Sequence, residues 1–473
     1  MAETWAKNAD QADQADQADQ AGQASVDLHL DLSGPRVRLG LETALRDAVR
    51  TGRLGPGTRL PSSRALAADL GIARNTVAEV YSQLVAEGWL TARTGSGTSV
   101  AERRAADPGP GPLARPEAAV PRYDLSPGVP DLSAFPAGAW LAAARKVLSA
   151  APRQLLDYPD PRGLPQLRAA LSGYLARARG VAADPGRIVV CAGFAHGLAV
   201  TCAALRSAGA GTLAVETYGH RAHRHLARAQ GLRLRPLPVD DRGAVIGAAD
   251  GTDAALLTPA HQFPLGVTLH PQRRREAARW GGVVIEDDYD GEFRYDRQPV
   301  GALQALAPDH VIYAGTASKS LAPVLRLGWL VVPPRLLDAV VAQLTAVPSG
   351  LDQLTLAEFI ESGAYDRQIR RARLAYRRRR DRLAASLRAR GRHVTGIAAG
   401  LHAVLDLPTA DTERELVAQA AEHGLGLLGL DSFRASGTDA DRAGLVIGYA
   451  RPPEYAYTTA LARLCAVLDR ASS

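Results

Sequence analysis

Tyr313-Ala314-Gly315-Thr316-Ala317-Ser318-Lys319-Ser320 is the stretch that decides the reading of this chain. It begins as an apolar strand, passes through small residues and delivers a lysine at a turn. Only three lysines, Lys7, Lys146 and Lys319, stand among the 56 basic residues of the 473-residue sequence; the others are arginines. A guanidinium is protonated at any workable pH and is a poor nucleophile, so arginine cannot form an imine. A lysine amine can, once desolvation or neighbouring charge lowers its pKa. A lysine retained at a small-residue turn, with Arg326 shortly after it, therefore marks a candidate imine-forming site. A chance surface lysine is the alternative.

Working outward, apolar strand candidates at 187–190, 212–215, 254–257, 283–285, 311–314 and 328–331 alternate with amphipathic helices. That alternation predicts an α/β domain with a mostly parallel sheet from about residue 122. The mixed, helical sequence that continues to Ser473 predicts a smaller C-terminal subdomain. A pyridoxal phosphate site in such a domain needs an imine-forming lysine, a carboxylate for the pyridine nitrogen, phosphate donors and a group against the ring face. Ile285-Glu286-Asp287-Asp288-Tyr289-Asp290 closes a buried strand, where ligands of α/β sheets bind. A carboxylate there would keep the pyridinium protonated, and Tyr289 can reach the 3′-oxygen; acids that merely cap a loop are the alternative. Cys191-Ala192-Gly193-Phe194-Ala195-His196-Gly197 follows a strand and opens a helix, whose free N–H groups and dipole suit a phosphate. Ser318 and Arg326 can complete that cup, Arg326 through charge-assisted bonds.

Residues 36–101 form a compact, well-punctuated module. Leu39, Leu41, Leu45, Ala48 and Val49 mark a first helix ended by Gly52; Ser62 is an N-cap for a second helix through Leu70. A third helix runs from about Arg74 to Glu87, with Val77, Val80, Tyr81 and Leu84 on one face. Trp89-Leu90-Thr91 and Gly97-Thr98-Ser99-Val100 then flank Gly95-Ser96 as a two-stranded wing. Such a module reads a DNA major groove with the second helix of its helix-turn-helix pair. Arg74, Asn75 and Thr76 open that helix, while Arg64 and the Gly95 wing are placed for backbone or minor groove.

The net charge of +7 is unevenly spread. Residues 1–35 carry one lysine and seven acids, in repeated Ala-Asp-Gln triplets; residues 36–104 carry eleven arginines and six acids. The triplet tract has nothing to bury, so residues 1 to about 25 are expected to be disordered, with the DNA-binding module over 26–101. Residues 102–121, rich in Pro, Gly and Ala, read as a semi-rigid linker, and 122–473 as the cofactor domain. No stretch has the apolar length of a membrane span and the start lacks a signal pattern. Cys191, Cys202 and Cys465 have no metal spacing; they predict buried thiols of a cytoplasmic protein without a metal site. The nine arginines between Arg367 and Arg382 read as a solvated helix face, with DNA contact or interface packing as alternatives.

Gly57-Thr58-Arg59-Leu60-Pro61-Ser62-Ser63-Arg64-Ala65-Leu66-Ala67, with Arg74-Asn75-Thr76-Val77 and Gly88-Trp89-Leu90, resembles the GntR-type winged helix over the whole module. Residues 122–473 resemble a fold type I aminotransferase, and the two together resemble the MocR/GabR regulators. The carrying segments are Tyr158-Pro159-Asp160-Pro161-Arg162-Gly163, His261-Gln262-Phe263-Pro264-Leu265-Gly266, Glu286-Asp287-Asp288-Tyr289-Asp290 and Thr316-Ala317-Ser318-Lys319-Ser320. The resemblance implies Lys319 as the Schiff-base lysine, Asp287 as partner of the pyridine nitrogen and Tyr289 as the 3′-oxygen contact. It assigns the phosphate to the backbone of Phe194 and Ala195 with Ser318 and Arg326, adds Gln262 to the cofactor contacts, and makes Tyr158 a residue lent across a head-to-tail homodimer. Where the family commonly reads Glu-Asp-Pro-Gly-Tyr, this chain has Glu216-Thr217-Tyr218-Gly219-His220, which puts His220 against the ring. The apolar strand Gly444-Leu445-Val446-Ile447-Gly448-Tyr449 lacks the arginine that grips a substrate carboxylate in many aminotransferases; only Arg442 and Arg451 flank it.

These readings predict a transcriptional regulator that binds a double-stranded DNA operator and uses pyridoxal phosphate on Lys319 to sense an amino compound or pyridoxal phosphate itself. An active aminotransferase carrying an accessory DNA-binding head, and a DNA-binding protein with an inert scaffold, are the alternatives.

Overall fold

The computed structural model describes residues 37–93, 97–102, 121–150, 152–295, 300–438 and 442–470. The chain divides into two compact units, 1–118 and 119–473. The acidic triplet tract, most of the linker and Gly95 lie outside the described residues.

In the first unit three helices, α1 (Val37–Arg50), α2 (Ser63–Asp69) and α3 (Arg74–Ala86), precede a hairpin of β1 (Leu90–Arg93) and β2 (Gly97–Val100). Ser62 caps α2 by accepting from Ala65 N, satisfying one of the orphan donors at a helix start. Leu41 and Leu45 of α1 meet Val77, Val80 and Leu84 of α3, all at most 1 % exposed. Burying each such side chain stabilises the unit by about 1.5–3 kcal/mol. Arg46 of α1 grips Glu87 with two bonds, Nε to Oε2 at 3.0 Å and Nη2 to Oε1 at 2.8 Å. Tyr81 Oη donates to Pro61 O at 3.0 Å, fixing the approach to α2.

The second unit is built on seven strands: β3 (Ile188–Cys191), β4 (Thr212–Glu216), β5 (Arg233–Leu237), β6 (Ala254–Leu257), β7 (Val283–Asp287), β8 (Val311–Thr316) and β9 (Gly328–Val331). Their order is β3-β9-β8-β7-β6-β4-β5, with β9 antiparallel to both neighbours. Side chains alternate across the sheet: Tyr313, Trp329 and Val331 enter one core, Ile312, Ala314 and Leu330 the other. The edge strand β5 escaped the sequence reading, because Arg233-Leu234-Arg235-Pro236-Leu237 is largely exposed and carries a proline tolerated only at an edge.

Register fixes what the sheet presents at its carboxyl edge. Asp287 pairs with Ala314, Thr316 with Gly328, and Gly328 with Cys191. The turns that carry Lys319, Arg326 and Gly193 therefore leave the sheet side by side with Asp287. A four-stranded antiparallel sheet, β10 (Val394–Thr395), β11 (Ala403–Leu407), β12 (Leu428–Gly429) and β13 (Ala443–Ile447), in the order β10-β11-β13-β12, builds the C-terminal subdomain with helices Ala364–Arg388, Ala410–Glu422 and Glu454–Arg470. The arginine-rich helix Ala364–Arg388 is not wholly a solvated face. Arg379 is 2 % exposed and pairs with Asp131 at 2.6 Å and Glu454 at 2.8 Å. The three cysteines are free and buried, and among the described residues no helix is long and apolar enough to cross a membrane.

A Cβ added at Gly328 would lie 2.9 Å from Gly193 Cα and 3.0 Å from Gly193 C, backbone atoms that cannot swing aside. Gly328→Ala is therefore expected to cost about 1–3 kcal/mol of stability, read as a lowered denaturant midpoint; an unchanged midpoint would show that the β9 edge has slack.

Candidate functional site

Lys319 stands in the turn after β8. Thr316 Oγ1 accepts from Ser318 N at 3.2 Å and donates to Ser318 Oγ at 2.9 Å, which shapes the small-residue turn. Lys319 Nζ donates to Gly128 O. Burial lowers the Lys319 pKa, against the opposing charges of Asp287 and Asp290, and so moves the amine toward its nucleophilic form.

Asp287 ends β7 with its side chain facing the same cavity, 6 % exposed. Its Oδ1 is buried with no hydrogen-bond partner. Burial raises its pKa well above the carboxylate range, with Lys319 pulling the other way. The next residue points to the opposite side. Asp288 accepts from Arg179 Nε at 2.6 Å and Nη2 at 2.9 Å, and from Tyr313 Oη at 2.8 Å. Arg179 also donates to Gly291 O at 3.1 Å. This buried pair clamps the strand end, so Asp287 cannot turn away to find a donor. Asp290 lies 2.8 Å from His261 Nδ1, which is 3.1 Å from Tyr289 Oη, and that chain holds the Tyr289 ring in the cavity wall.

The third part of the site is a helix start. Gly193, at φ 81°, turns the chain from β3 into α4 (Phe194–Ser207), and Gly197 N closes the first helical bond to Gly193 O at 3.1 Å. The amides of Phe194 and Ala195 precede that bond and have no intrahelical acceptor. Arg326 adopts the left-handed region at φ 50°, unusual without a glycine, and brings its guanidinium over this turn. A Cβ on Gly193 would sit 3.6 Å from Arg326 Cζ. No carboxylate pairs with Arg326 among the described residues. A helix N-terminus beside an unpaired arginine is a site for a phosphate-sized anion.

Lys319, Asp287, Tyr289, Ser318, Arg326, Phe194, Ala195 and His220 thus line one cavity of ≈ 220 Å³. His220 stacks on Phe263 with centroids 4.1 Å apart and planes 11° from parallel. Burial, followed by His223 and Lys319, drives its pKa down to about 2, leaving a neutral flat ring as a wall. These residues fit pyridoxal phosphate: the unpartnered Asp287 oxygen matches a protonated ring nitrogen, and the Arg326 turn matches the phosphate.

Two expected contacts stand elsewhere. Gln262 is buried but does not line the cavity; its Nε2 donates to Glu216 Oε2, Tyr218 O and Phe263 O at 3.2, 2.9 and 2.7 Å. It braces the wall that carries Phe263, because a buried amide must be satisfied by its nearest acceptors. Tyr158 is 99 % exposed and outside the cavity of its own chain. Arg442 and Arg451 are also outside it, paired with Asp406 at 2.8 Å and Asp124 at 2.7 Å. Gly128, His223, Arg224, Thr258 and Phe263 line the cavity without having been singled out for it. Arg224 was within reach of sequence reading, one helical turn past His220. In the first unit, Arg64, Arg74 and Asn75 are exposed and Thr76 is half-buried at the start of α3.

Residues 38–100 match the family model of bacterial regulatory proteins, gntR family, and residues 123–441 match aminotransferase class I and II. The chain is 34 % identical over 432 residues to the HTH-type pyridoxine biosynthesis transcriptional regulator PdxR of Corynebacterium glutamicum, covering 86 % of this chain and 91 % of that one. It is 34 % identical over 364 residues to the probable rhizopine catabolism regulatory protein MocR of Rhizobium meliloti, covering 71 % and 74 %. Among solved structures, the kynurenine aminotransferase of Pyrococcus horikoshii superposes with a TM-score of 0.66 at 22 % identity, over 75 % of this chain and 92 % of that one; that likeness carries the fold. The chain belongs to the MocR-type transcriptional regulators, in which a gntR-family winged helix-turn-helix is joined to an aminotransferase class I and II domain.

Proposed function

We propose that the second unit holds pyridoxal phosphate at Lys319 and that its occupancy sets how tightly the first unit binds operator DNA. The observation that carries this reading is one cavity lined by a lysine amine, an orphaned buried carboxylate and an unpaired arginine over a helix start. Bound there, the cofactor supplies an electrophilic carbon and an electron sink. The protein's own groups do the rest. Arg326 with the amides of Phe194 and Ala195 would bind the phosphate, and Asp287 would hold a proton at the ring nitrogen. Tyr289 would face the 3′-oxygen, and His220 would lie against the ring. Lys319, whose pKa burial lowers, would be the attaching amine.

The signal is an amino compound that meets the cofactor, or pyridoxal phosphate itself, and the chain acts as a sensor rather than by turnover. Two features support sensing. The relatives are named as regulators, and β13 brings no arginine to the cavity: Val446 instead packs in an apolar cluster with Tyr218, Phe263 and Phe433. A head-to-tail homodimer, in which Tyr158 reaches the partner's phosphate, would give that exposed residue its task. A ligand shifts the balance between DNA-binding states only by binding them unequally, so the affinities for effector and operator must be linked.

Wild-type protein given pyridoxal phosphate is expected to show the visible absorption of a lysine-bound cofactor, and Lys319→Ala to lose it with an unchanged far-ultraviolet circular dichroism spectrum. A variant spectrum identical to wild type would reject the assignment of Lys319.

Arg74→Ala is expected to weaken binding to a duplex selected from a random library by about 1–3 kcal/mol, measured by fluorescence anisotropy. Undiminished affinity would remove Arg74 from the reading surface.

A further inference from the structure

One cation in the cavity wall has no task in the account above. Arg224, in the helix Arg221–Ala229, is 5 % exposed and lines the cavity. Its Nη1 donates to Gly219 O and Phe433 O, both at 3.0 Å, and Nη2 donates to Arg434 O at 2.9 Å. A guanidinium carries five N–H groups. These bonds leave Nε–H and one Nη2–H with no acceptor among the described residues, and no carboxylate pairs with the side chain there. Burial first, then Arg228 and Arg221, lower its pKa: the group sits in a cationic neighbourhood with no acid to balance it.

Nε–H and an Nη2–H form the side of the fork that matches the two oxygens of a carboxylate. The remaining groups are committed to carbonyl oxygens, so the arm is held in place before any ligand arrives. The anchoring carbonyls come from two segments that also pair with each other. Gly219 N donates to Phe433 O at 2.9 Å, and Ala435 N donates to Thr217 O at 2.7 Å. The other cations are accounted for: Arg326 covers the helix start, and Arg442 and Arg451 are paired with acids outside the cavity. Val446, in β13, is buried in an apolar cluster and does not line the cavity.

We propose that Arg224 is the carboxylate-recognising residue of this pocket, and that the effector is an amino-acid-like compound with an amine for the Lys319 end and a carboxylate for Arg224. This rests on the cavity holding pyridoxal phosphate as inferred above, and it narrows the signal to amines that carry a carboxylate. Arg224 takes the role that a strand arginine would otherwise fill.

The test uses the full-length chain loaded with pyridoxal phosphate. It is titrated with amino acids of increasing chain length (alanine, β-alanine, 4-aminobutyrate), with their decarboxylated amines and with their amides, following the visible band. For the amino acid that acts best, half-saturation is expected at a concentration roughly 10- to 100-fold below that of its amine and amide, as for a charge-assisted hydrogen bond. In Arg224→Gln that ratio is expected to collapse to about 1 while the cofactor band stays. Arg224→Lys, which keeps the charge and loses the fork, falls between. A wild-type chain that takes amine, amide and acid alike overturns the proposal, as does Arg224→Gln with its preference intact. If Arg224→Gln does not fold, the wild-type ratio alone decides. A wild-type chain with no lysine-bound band at all overturns the cofactor reading instead, and the spectrum before any titration tells the two failures apart.

Discussion

Asp287 is a carboxylate buried without a hydrogen-bond donor to its Oδ1, at the end of the strand whose next residue is clamped from the other side. Burying a charge without a partner costs several kcal/mol, and a chain ordinarily escapes that cost by rotating the group toward water or a donor. Here the bidentate Arg179–Asp288 pair and the Tyr313 hydroxyl fix the backbone, so Asp287 is held facing the cavity. Its charge is then left to Lys319 or to a proton, and its Oδ1 stays available as an acceptor in the cavity. The geometry of Lys319, Arg326 and Gly193 depends on the same sheet edge, because the register of β7, β8, β9 and β3 sets all four turns next to one another.

Much of this was legible in the sequence, for physical reasons that differ from element to element. Strands buried on both faces are continuous apolar runs, so β6 and β9 could be delimited to the residue, and the capping serine and closing glycine of the head announced its helices. Lys319 was conspicuous because arginine has replaced lysine almost everywhere else. The edge strand β5 hid behind its arginines and proline, since an edge needs no apolar alternation on both faces. Gln262 lies in a segment that does build the cavity wall, but period and motif do not say which way a buried amide turns. Arg379 looked like one more solvated arginine, whereas contacts far apart in sequence, to Asp131 and Glu454, draw it inside.

Arg224 shows the same limit from the functional side. A resemblance directs attention to the strand where related enzymes keep an arginine, and β13 has only Val446 there. A further arginine that lines the cavity comes from the helix Arg221–Ala229 instead, and its spare donors emerge when its hydrogen bonds are counted against the five it carries. The arrangement suits a protein that keeps the binding chemistry of its fold and uses it to read a small molecule. A fold of this kind provides a deep pocket at the carboxyl edge of the sheet, and the gntR-family head provides a helix start bearing Arg74, Asn75 and Thr76.

Linkage between the two units is the central claim, and it is reciprocal: a ligand that changes operator affinity by some factor must have its own affinity changed by the operator by that factor. The most direct measurement is the Kd of the full-length protein for its selected operator duplex, without cofactor and at saturating pyridoxal phosphate, with the cofactor Kd measured with and without the duplex. The account predicts that both constants shift by one common factor, roughly 5-fold or more. Equal operator affinity in the two states would contradict it, and would leave the cofactor pocket and the DNA-binding head as two independent functions on one chain.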